Sequence, residues 1–286
     1  MNSVGQQRYA DKVVVLTGGT SGIGEGCVRV FVENGAKVVF CAKQGEHEVG
    51  EELEDELNTK GPGEAMFIAC DVTQEEDIKN MINKTVEKYG TIDCLINNAG
   101  DHPSHRPIDD FSAREFRDLL DLLVVGHFLT SKYALPYLRK SKGNIIFNAS
   151  LVATIGQLHA VTYVAAKGAV VAMTRALAID EAEHGVRVNS FSPGNIWTPL
   201  WNKMANETGD PQSMIKFGKH AQLMGRMGTA LEAGRLCLYL AGEATFLTGV
   251  DIPMSGGAEL NYGTKDRTSQ SITPTSTGRP ADTAMF

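Results

Sequence analysis

Paired cysteines and clustered metal ligands are missing from this sequence. Its five cysteines are scattered without any CxxC pair, and no group of His, Cys and Asp has the spacing of a metal site. We therefore expect buried, reduced thiols and no bound metal. The cysteines are Cys27, Cys41, Cys70, Cys94 and Cys237.

Clusters of positive charge and long apolar runs are also missing. The formal net charge is -7 and no group of Lys and Arg offsets it, so nucleic acid and anionic membrane surfaces are poor partners. No stretch approaches about 18 uninterrupted apolar residues, and the first residues lack the charged start and apolar core of a secretion signal. These absences predict a soluble cytoplasmic protein.

The sequence does contain a regular alternation of short apolar runs and helix-like stretches. Because the runs are continuously apolar, they indicate parallel strands that are buried on both faces. The pattern predicts one α/β domain over residues 8–263, with a doubly wound seven-stranded parallel sheet and helices on both faces. Residues 264–286 are polar and rich in Ser, Thr and Pro, which predicts a disordered tail. The runs are 13–16, 38–41, 66–70, 94–97, 144–147, 186–191 and 248–254, and the helical stretches are 22–34, 46–59, 74–89, 112–140 and 163–184.

A glycine-rich segment, TGGTSGIG at 17–24, joins the first apolar run to the first helical stretch. A helix N-terminus offers unpaired N–H groups and partial positive charge, and glycine lets a pyrophosphate approach the backbone. Alone, such a segment is as often an ordinary tight turn. Strand, loop and helix in this order favour a dinucleotide site of the Rossmann type. The predicted contacts are Gly18, Ser21, Gly22, Ile23 and Gly24.

The end of the second strand bears on the choice between NAD and NADP. A Rossmann protein that prefers NAD presents an acidic side chain there, which holds the ribose diol. This sequence has Ala42 and Lys43 instead. Lys43 can attract the 2′-phosphate of NADP, although a solvated surface lysine explains it equally well. The residues leave both cofactors open, with a slight preference for NADP.

Three side chains have the spacing of an acid/base site. Tyr163 and Lys167 stand four residues apart in a helical stretch, and Ser150 ends an apolar run upstream. Residues four apart share a helix face, so the Lys167 ammonium can lie near the Tyr163 phenol and lower its pKa. Such a tyrosine can act as general acid or base, with Ser150 bonding the substrate oxygen. A YxxxK pair alone is more often structural than catalytic, so its neighbours decide.

Several motifs in a fixed order resemble the short-chain dehydrogenase/reductases across residues 8–263. They are TGGTSGIG, Asp71-Val72, Asn97-Asn98-Ala99-Gly100, Ser150, YVAAK at 163–167 and Ser192-Pro193-Gly194. The resemblance implies hydride transfer between NAD or NADP and an alcohol or ketone. It makes Tyr163 the acid/base, Lys167 a holder of the nicotinamide ribose and Ser150 the group that orients the substrate oxygen. The other cofactor residues that it implies are Ala42, Lys43, Asp71, Val72, Asn98, Ala99, Gly100, Pro193, Gly194, Ile196 and Thr198.

Longer stretches, among them SLVATIGQ at 150–157 and SPGNIWTPLW at 192–201, resemble the type-14 17β-hydroxysteroid dehydrogenases. That resemblance implies a 17β-hydroxysteroid or similar lipophilic alcohol or ketone as substrate, and a cytosolic homotetramer. His102 can equally be a loop residue of no consequence and Trp201 can be core filling, but an apolar, partly aromatic wall suits a flat lipophilic alcohol. The implied substrate pocket is His102, Gln157, Leu200, Trp201 and Tyr262.

Two positions depart from the family pattern. Ala42 stands where NAD-using relatives carry an acid, and Leu123 stands where the family has a helix asparagine that helps to anchor a water beside the lysine. A leucine cannot hold that water, so we expect reduced turnover rather than none. An alternative hypothesis is a nucleotide-binding protein that has largely lost catalysis and acts as a ligand sensor or assembly partner. The intact set of Ser150, Tyr163 and Lys167 favours the enzyme.

Overall fold

A computed structural model describes residues 7–260, which build a parallel sheet between two layers of helices. The sheet has seven strands in the order β3-β2-β1-β4-β5-β6-β9, and every neighbouring pair is parallel. The predicted doubly wound seven-stranded sheet is therefore confirmed. The strands are β1 Val13–Thr17, β2 Lys37–Ala42, β3 Glu64–Ala69, β4 Cys94–Asn97, β5 Asn144–Asn148, β6 Arg187–Pro193 and β9 Asp251–Met254, with β7 Ile196–Trp197 and β8 Gly228–Thr229 as a separate short pair.

Successive residues of each strand point to opposite faces of the sheet. Helices cover both faces and bury the apolar side chains there. Val14 and Leu16 pack into one apolar cluster, whereas Val15 packs into the other. Such continuous burial explains why the strands read as uninterrupted apolar runs. One layer is α1 Gly22–Glu33, α2 His47–Lys60 and α10 Ala230–Gly242, and the other is α3 Glu75–Tyr89, α5 Gly126–Ser141 and α7 Val161–Glu181.

Helix α10 was not predicted from the sequence. It begins at a capping box, in which the Thr229 hydroxyl accepts from the Glu232 N–H and the Glu232 carboxylate accepts from the Thr229 N–H. It packs closely on α1 because both helices have glycine at the contact. A Cβ on Gly26 would lie 2.4 Å from the Ala230 carbonyl carbon. The capping box was the signal that could have located this helix.

The predicted helix at 112–140 is interrupted in the structure. It consists of α4 Ala113–Leu120, a π-helical turn at Asp121–Val125, and α5. Leu123 lies in this turn and is fully buried. The remaining short helices are α6 Val152–Ile155, α8 Pro199–Asn206 and α9 Pro211–His220, with 3₁₀ turns at Gln44–Glu46, Ile108–Asp110 and Ala182–His184.

One helical stretch, Val161–His184, is long and apolar enough to cross a membrane by length and composition alone. In the fold it packs against β6, and it contributes Val170, Val171 and Ala178 to one apolar cluster. About 39% of its apolar window is buried in the fold, and one helix of this length and composition is weak evidence for a membrane span.

Candidate active site

The sheet order reverses between β1 and β4, and a cleft opens at the carboxyl ends of the strands around this point. Open α/β sheets bind their ligands at such a reversal. The cleft has a volume of about 1020 Å³, and the segments after β1, β2, β4, β5 and β6 form its walls. It is large enough for a dinucleotide and a small substrate together.

The structure brings nearly all of the predicted site residues to this cleft, and Asp71 is the exception. The Asp71 carboxylate accepts hydrogen bonds from the Thr73 N–H and hydroxyl at 2.9 and 2.8 Å, so it holds the turn that leads into α3. Its neighbours Cys70 and Val72 line the cleft instead. The predicted contact of Asp71 with the cofactor stays a prediction. Tyr262 lies outside the described residues.

The glycine-rich loop forms the floor of one half of the cleft. Ser21 precedes α1 and makes no side-chain cap, so the N–H groups of the first helical turn stay open. A Cβ on Gly24 would lie 1.8 Å from the Gly18 carbonyl oxygen, which accepts a hydrogen bond from Asn98 Nδ2 at 2.8 Å. An uncapped helix start against a glycine floor fits the pyrophosphate of a dinucleotide. The residues present therefore suit NAD or NADP.

Ser150, Tyr163 and Lys167 meet in the other half of the cleft. Ser150 follows β5, while Tyr163 and Lys167 lie in the first two turns of α7. Ser150 hydrogen-bonds the Tyr163 hydroxyl, and Lys167 Nζ donates to the Asn148 carbonyl at 2.7 Å. Lys167 Nζ lies 5.8 Å from the centre of the Tyr163 ring. The chain thus presents a phenol, a hydroxyl and an amine to one corner of the cleft.

Burial shifts the pKa values of Tyr163 and Lys167 more than neighbouring charges do. It raises the pKa of Tyr163 to about 12, although the Ser150 hydrogen bond lowers it, and it lowers the pKa of Lys167 to about 7. The predicted lowering of the tyrosine pKa by the lysine is therefore not found for the chain's own residues. Tyr163 is a phenol near neutral pH, ready to donate a proton to a carbonyl oxygen.

Comparisons with known proteins agree with this geometry. The family described as enoyl-(acyl carrier protein) reductase matches residues 18–259. The chain belongs to the short-chain dehydrogenase/reductases. L-fucose dehydrogenase of Bos taurus is 52% identical over 258 residues, which cover 90% of this chain and 93% of that protein. Meso-2,3-butanediol dehydrogenase of Serratia marcescens is 37% identical over 259 residues, which cover 90% and 98%.

Two solved structures with a similar fold contain a bound nicotinamide cofactor. L-sorbose reductase from Gluconobacter frateurii, complexed with NADPH and L-sorbose, matches with a TM-score of 0.84 at 27% identity, over 90% of this chain and 100% of that one. A 3-ketoacyl-(acyl-carrier-protein) reductase from Brucella melitensis, complexed with NADH, has a TM-score of 0.80 at 28% identity, over 88% and 99%. The protein is an NAD- or NADP-dependent dehydrogenase/reductase that acts on CH–OH groups.

His127 is a buried histidine near Lys167 that was not predicted from the sequence. His127 follows the π-helical turn, is 1% exposed, and donates from Nε2 to the Ala99 carbonyl at 3.0 Å. Its Nδ1 is buried and has no hydrogen-bond partner among residues 7–260. Burial and the charge of Lys167 lower the pKa of His127 to about 3, so it is neutral. Its position four residues after Leu123 on the same helical stretch was the only signal.

We expect the Leu123→Asn variant of this dehydrogenase to turn over about 2- to 10-fold faster than the parent. The amide restores a polar group to the helix position where the family carries one, while KM should not change. Because an amide replaces a fully buried leucine, thermal unfolding should show a loss of roughly 2–4 kcal/mol. Steady-state kinetics below the unfolding temperature measures the gain. An unchanged or lower kcat would show that Leu123 does not limit turnover.

His102 packs on the ring of Tyr163. The two ring centres lie 4.0 Å apart, and His102 Nδ1 donates to the Pro103 carbonyl at 2.8 Å. Burial lowers the pKa of His102, which favours the neutral imidazole. The Gln157 side-chain oxygen lies 3.4 Å from His102 Nε2. Together they form a polar edge beside Tyr163, and the role of His102 in binding substrate stays a prediction.

The facing wall of the cleft is apolar. Leu200 and Trp201 lie in α8, whose start is fixed because the Thr198 hydroxyl accepts from the Trp201 N–H at 3.1 Å. The Trp201 indole N–H donates to Asn195 Oδ1 at 3.3 Å, so its ring is held at the cleft. Met204 extends this wall. Trp201 is a cleft residue and not core filling.

Proposed function

We propose that this dehydrogenase oxidises L-fucose, or a sugar closely related to it, at the hemiacetal carbon. The observation that carries the proposal is the 52% identity to the L-fucose dehydrogenases of Bos taurus and Mus musculus over 90% of the chain. The polar edge of His102 and Gln157 supports it, because every hydroxyl of a sugar that leaves water needs a hydrogen-bond partner.

In the proposed reaction, the C1–H bond of the sugar breaks as hydride and the C1 hydroxyl loses its proton. The nicotinamide cofactor, when bound, supplies the two-electron acceptor for the hydride. Tyr163 takes the hydroxyl proton, and Ser150 holds the same oxygen through its hydroxyl. The product is a lactone, and reduction runs these steps backwards with Tyr163 as the acid. The hemiacetal carbon is the best hydride donor of a sugar, since the ring oxygen stabilises positive charge that develops there.

Lys167 acts on this chemistry through its charge. With a pKa of about 7, it exists as ammonium and amine near neutral pH. The ammonium form favours the tyrosinate that must accept the proton during oxidation. Its bond to the Asn148 carbonyl fixes the amine on the side of α7 that bears Tyr163. We therefore assign Lys167 to the tuning of Tyr163 and, as in the family, to holding the nicotinamide ribose.

A 17β-hydroxysteroid is the second candidate substrate, favoured by the apolar wall. Leu200, Trp201 and Met204 offer a surface that suits a flat lipophilic alcohol. The named relatives act on sugars and small alcohols and give this specificity no support. The polar edge next to Tyr163 has more hydrogen-bonding groups than a single steroid hydroxyl can satisfy.

Parallel assays of L-fucose and estradiol, each with NAD and with NADP, separate the two substrates. The proposal expects kcat/KM for L-fucose to exceed that for estradiol by about 100-fold or more, because a steroid has too few hydroxyls near the reacting carbon to satisfy the polar groups of the site. Formation of reduced nicotinamide is measured by absorbance. A preference for estradiol would replace the sugar with the steroid, and the CH–OH chemistry would stand.

The homotetramer and the cytoplasmic location remain predictions. Helices α5 and α7 carry exposed apolar side chains such as Phe128 and Ile179. We propose these faces as the contact between copies of the chain. Light scattering of the full chain tests the assembly, and a monomer would contradict it.

A further inference from the structure

The adenosine side of the cleft contains an acid that the strand-end pattern does not reveal. Ala42 closes β2 without a carboxylate, at the position where an NAD-binding protein normally places one. Glu46, one turn further along, also lines the cleft together with Thr20 and Ser21 of the glycine-rich loop. It lies in the 3₁₀ turn Gln44–Glu46, directly before α2.

One contact holds the Glu46 side chain and another holds its backbone. The Thr20 hydroxyl, which is buried, donates to Glu46 Oε2, and the Glu46 N–H donates to the Lys43 carbonyl at 2.9 Å. The glycine-rich loop is itself attached to the end of β2, since the Gly19 N–H donates to the Cys41 carbonyl at 2.9 Å. Loop, strand end and carboxylate therefore form one unit at the rim of the cleft.

The only other charged side chain in this corner is Lys43, among the cleft residues that the structure describes. Lys43 is exposed and makes no hydrogen bond or ion pair with its side chain within residues 7–260. A free lysine keeps its rotamer entropy and its hydration, whereas the Glu46 carboxylate is already oriented. The fixed negative charge of Glu46 should therefore decide which cofactor binds more tightly at this side of the cleft.

We infer that Glu46 replaces the missing strand-end acid and makes this dehydrogenase prefer NAD over NADP. A carboxylate has about four lone-pair sites, so after accepting from Thr20 it can still accept from a ribose diol. The same charge repels a 2′-phosphate. The inference runs against the slight preference for NADP that Lys43 suggested. It concerns the cofactor alone and does not depend on the sugar substrate.

Calorimetric titration of the full chain with NADH and with NADPH, without substrate, tests the inference. We expect NADH to bind at least about 10-fold more tightly than NADPH. A difference of about 10-fold in affinity needs only a modest electrostatic repulsion between the Glu46 carboxylate and the 2′-phosphate. The Glu46→Gln variant should bring the two affinities at least about 10-fold closer, mainly by tighter NADPH binding. Glu48→Gln removes the same charge from an exposed carboxylate on α2 outside the cleft and should leave the ratio unchanged within about 2-fold.

A double variant guards against effects on folding. Adding Ala42→Asp to Glu46→Gln places the acid at the usual strand-end position and should restore the preference for NADH. Lys43→Gln should shift the ratio less than Glu46→Gln does. Equal or tighter binding of NADPH by the parent would overturn the inference, as would a Glu46→Gln variant with the ratio of the parent. Because no sugar is present, neither result bears on the choice between L-fucose and estradiol.

Discussion

The Tyr163→Phe variant should oxidise L-fucose about 100- to 10,000-fold more slowly than the parent. Phenylalanine keeps the ring that packs on His102 at 4.0 Å but removes the hydroxyl that takes the substrate proton. The loss should appear in kcat, because the remaining contacts of the sugar with His102, Gln157 and Ser150 persist. Initial rates of nicotinamide reduction measure it.

Two controls make this result specific. Tyr163→Phe should bind NADH with the affinity of the parent, because the glycine-rich loop and α1 are untouched. The same substitution at Tyr137, a partly buried tyrosine of α5 outside the cleft, should leave kcat within about 2-fold. A Tyr163→Phe enzyme with at least a tenth of the parental kcat would mean that another group transfers the proton.

Replacing Gly24 by alanine should weaken binding of the nicotinamide cofactor about 10- to 100-fold. The added Cβ would lie 1.8 Å from the Gly18 carbonyl oxygen and 2.6 Å from Asn98 Nδ2, so the loop must move. Overpacking of this kind costs about 1–3 kcal/mol, and about 1.4 kcal/mol corresponds to a factor of ten in affinity. The same displacement should lower the unfolding temperature.

The matched control for this variant is Gly168→Ala. Gly168 is also a helical glycine, in α7, but a Cβ there would meet no atom of the described part of the chain within 4 Å. Alanine favours the helix over glycine, so stability should be equal or higher and cofactor affinity unchanged. Titration with NADH and thermal unfolding distinguish the two variants. If Gly24→Ala and Gly168→Ala bind the cofactor alike, the close approach of Gly24 to Gly18 does not shape the binding site.

The sheet and the glycine-rich loop could be predicted because their signals are local. Each strand is a continuous apolar run, and the segment at 17–24 combines strand end, glycines and helix start within eight residues. Ser150, Tyr163 and Lys167 could be predicted because they stand in a motif order that the family shares. Such signals depend on neighbours in the sequence and on spacing, which are visible without a structure.

The features that could not be predicted depend on contacts between distant residues. The pKa values of Tyr163 and Lys167 follow from burial, which the four-residue spacing of the pair does not show. The orientation of Asp71 is set by Thr73, and Glu46 accepts a hydrogen bond from Thr20 of the glycine-rich loop. The hydrogen-bond partner of a charged side chain therefore indicates its role better than its position in the sequence does.

The substrate illustrates the same limit. Motifs such as SPGNIWTPLW identify the wall that contains Leu200 and Trp201, and this wall suits a steroid. The polar edge opposite it depends on the ring of His102, the amide of Gln157 and a burial-lowered pKa. Only the assembled cleft shows both surfaces together, and the two lead to different substrates.

Oxidation of L-fucose that carries deuterium at C1 tests the central claim most directly. The purified protein is mixed with the labelled sugar and with NAD or NADP, and the reduced cofactor is analysed by mass spectrometry. The account predicts reduced cofactor that contains one deuterium, formed by the parent and lost in Tyr163→Phe. Reduced cofactor without deuterium would place the reaction at another carbon, and no reduced cofactor from a protein that binds NADH would contradict the proposed sugar dehydrogenase.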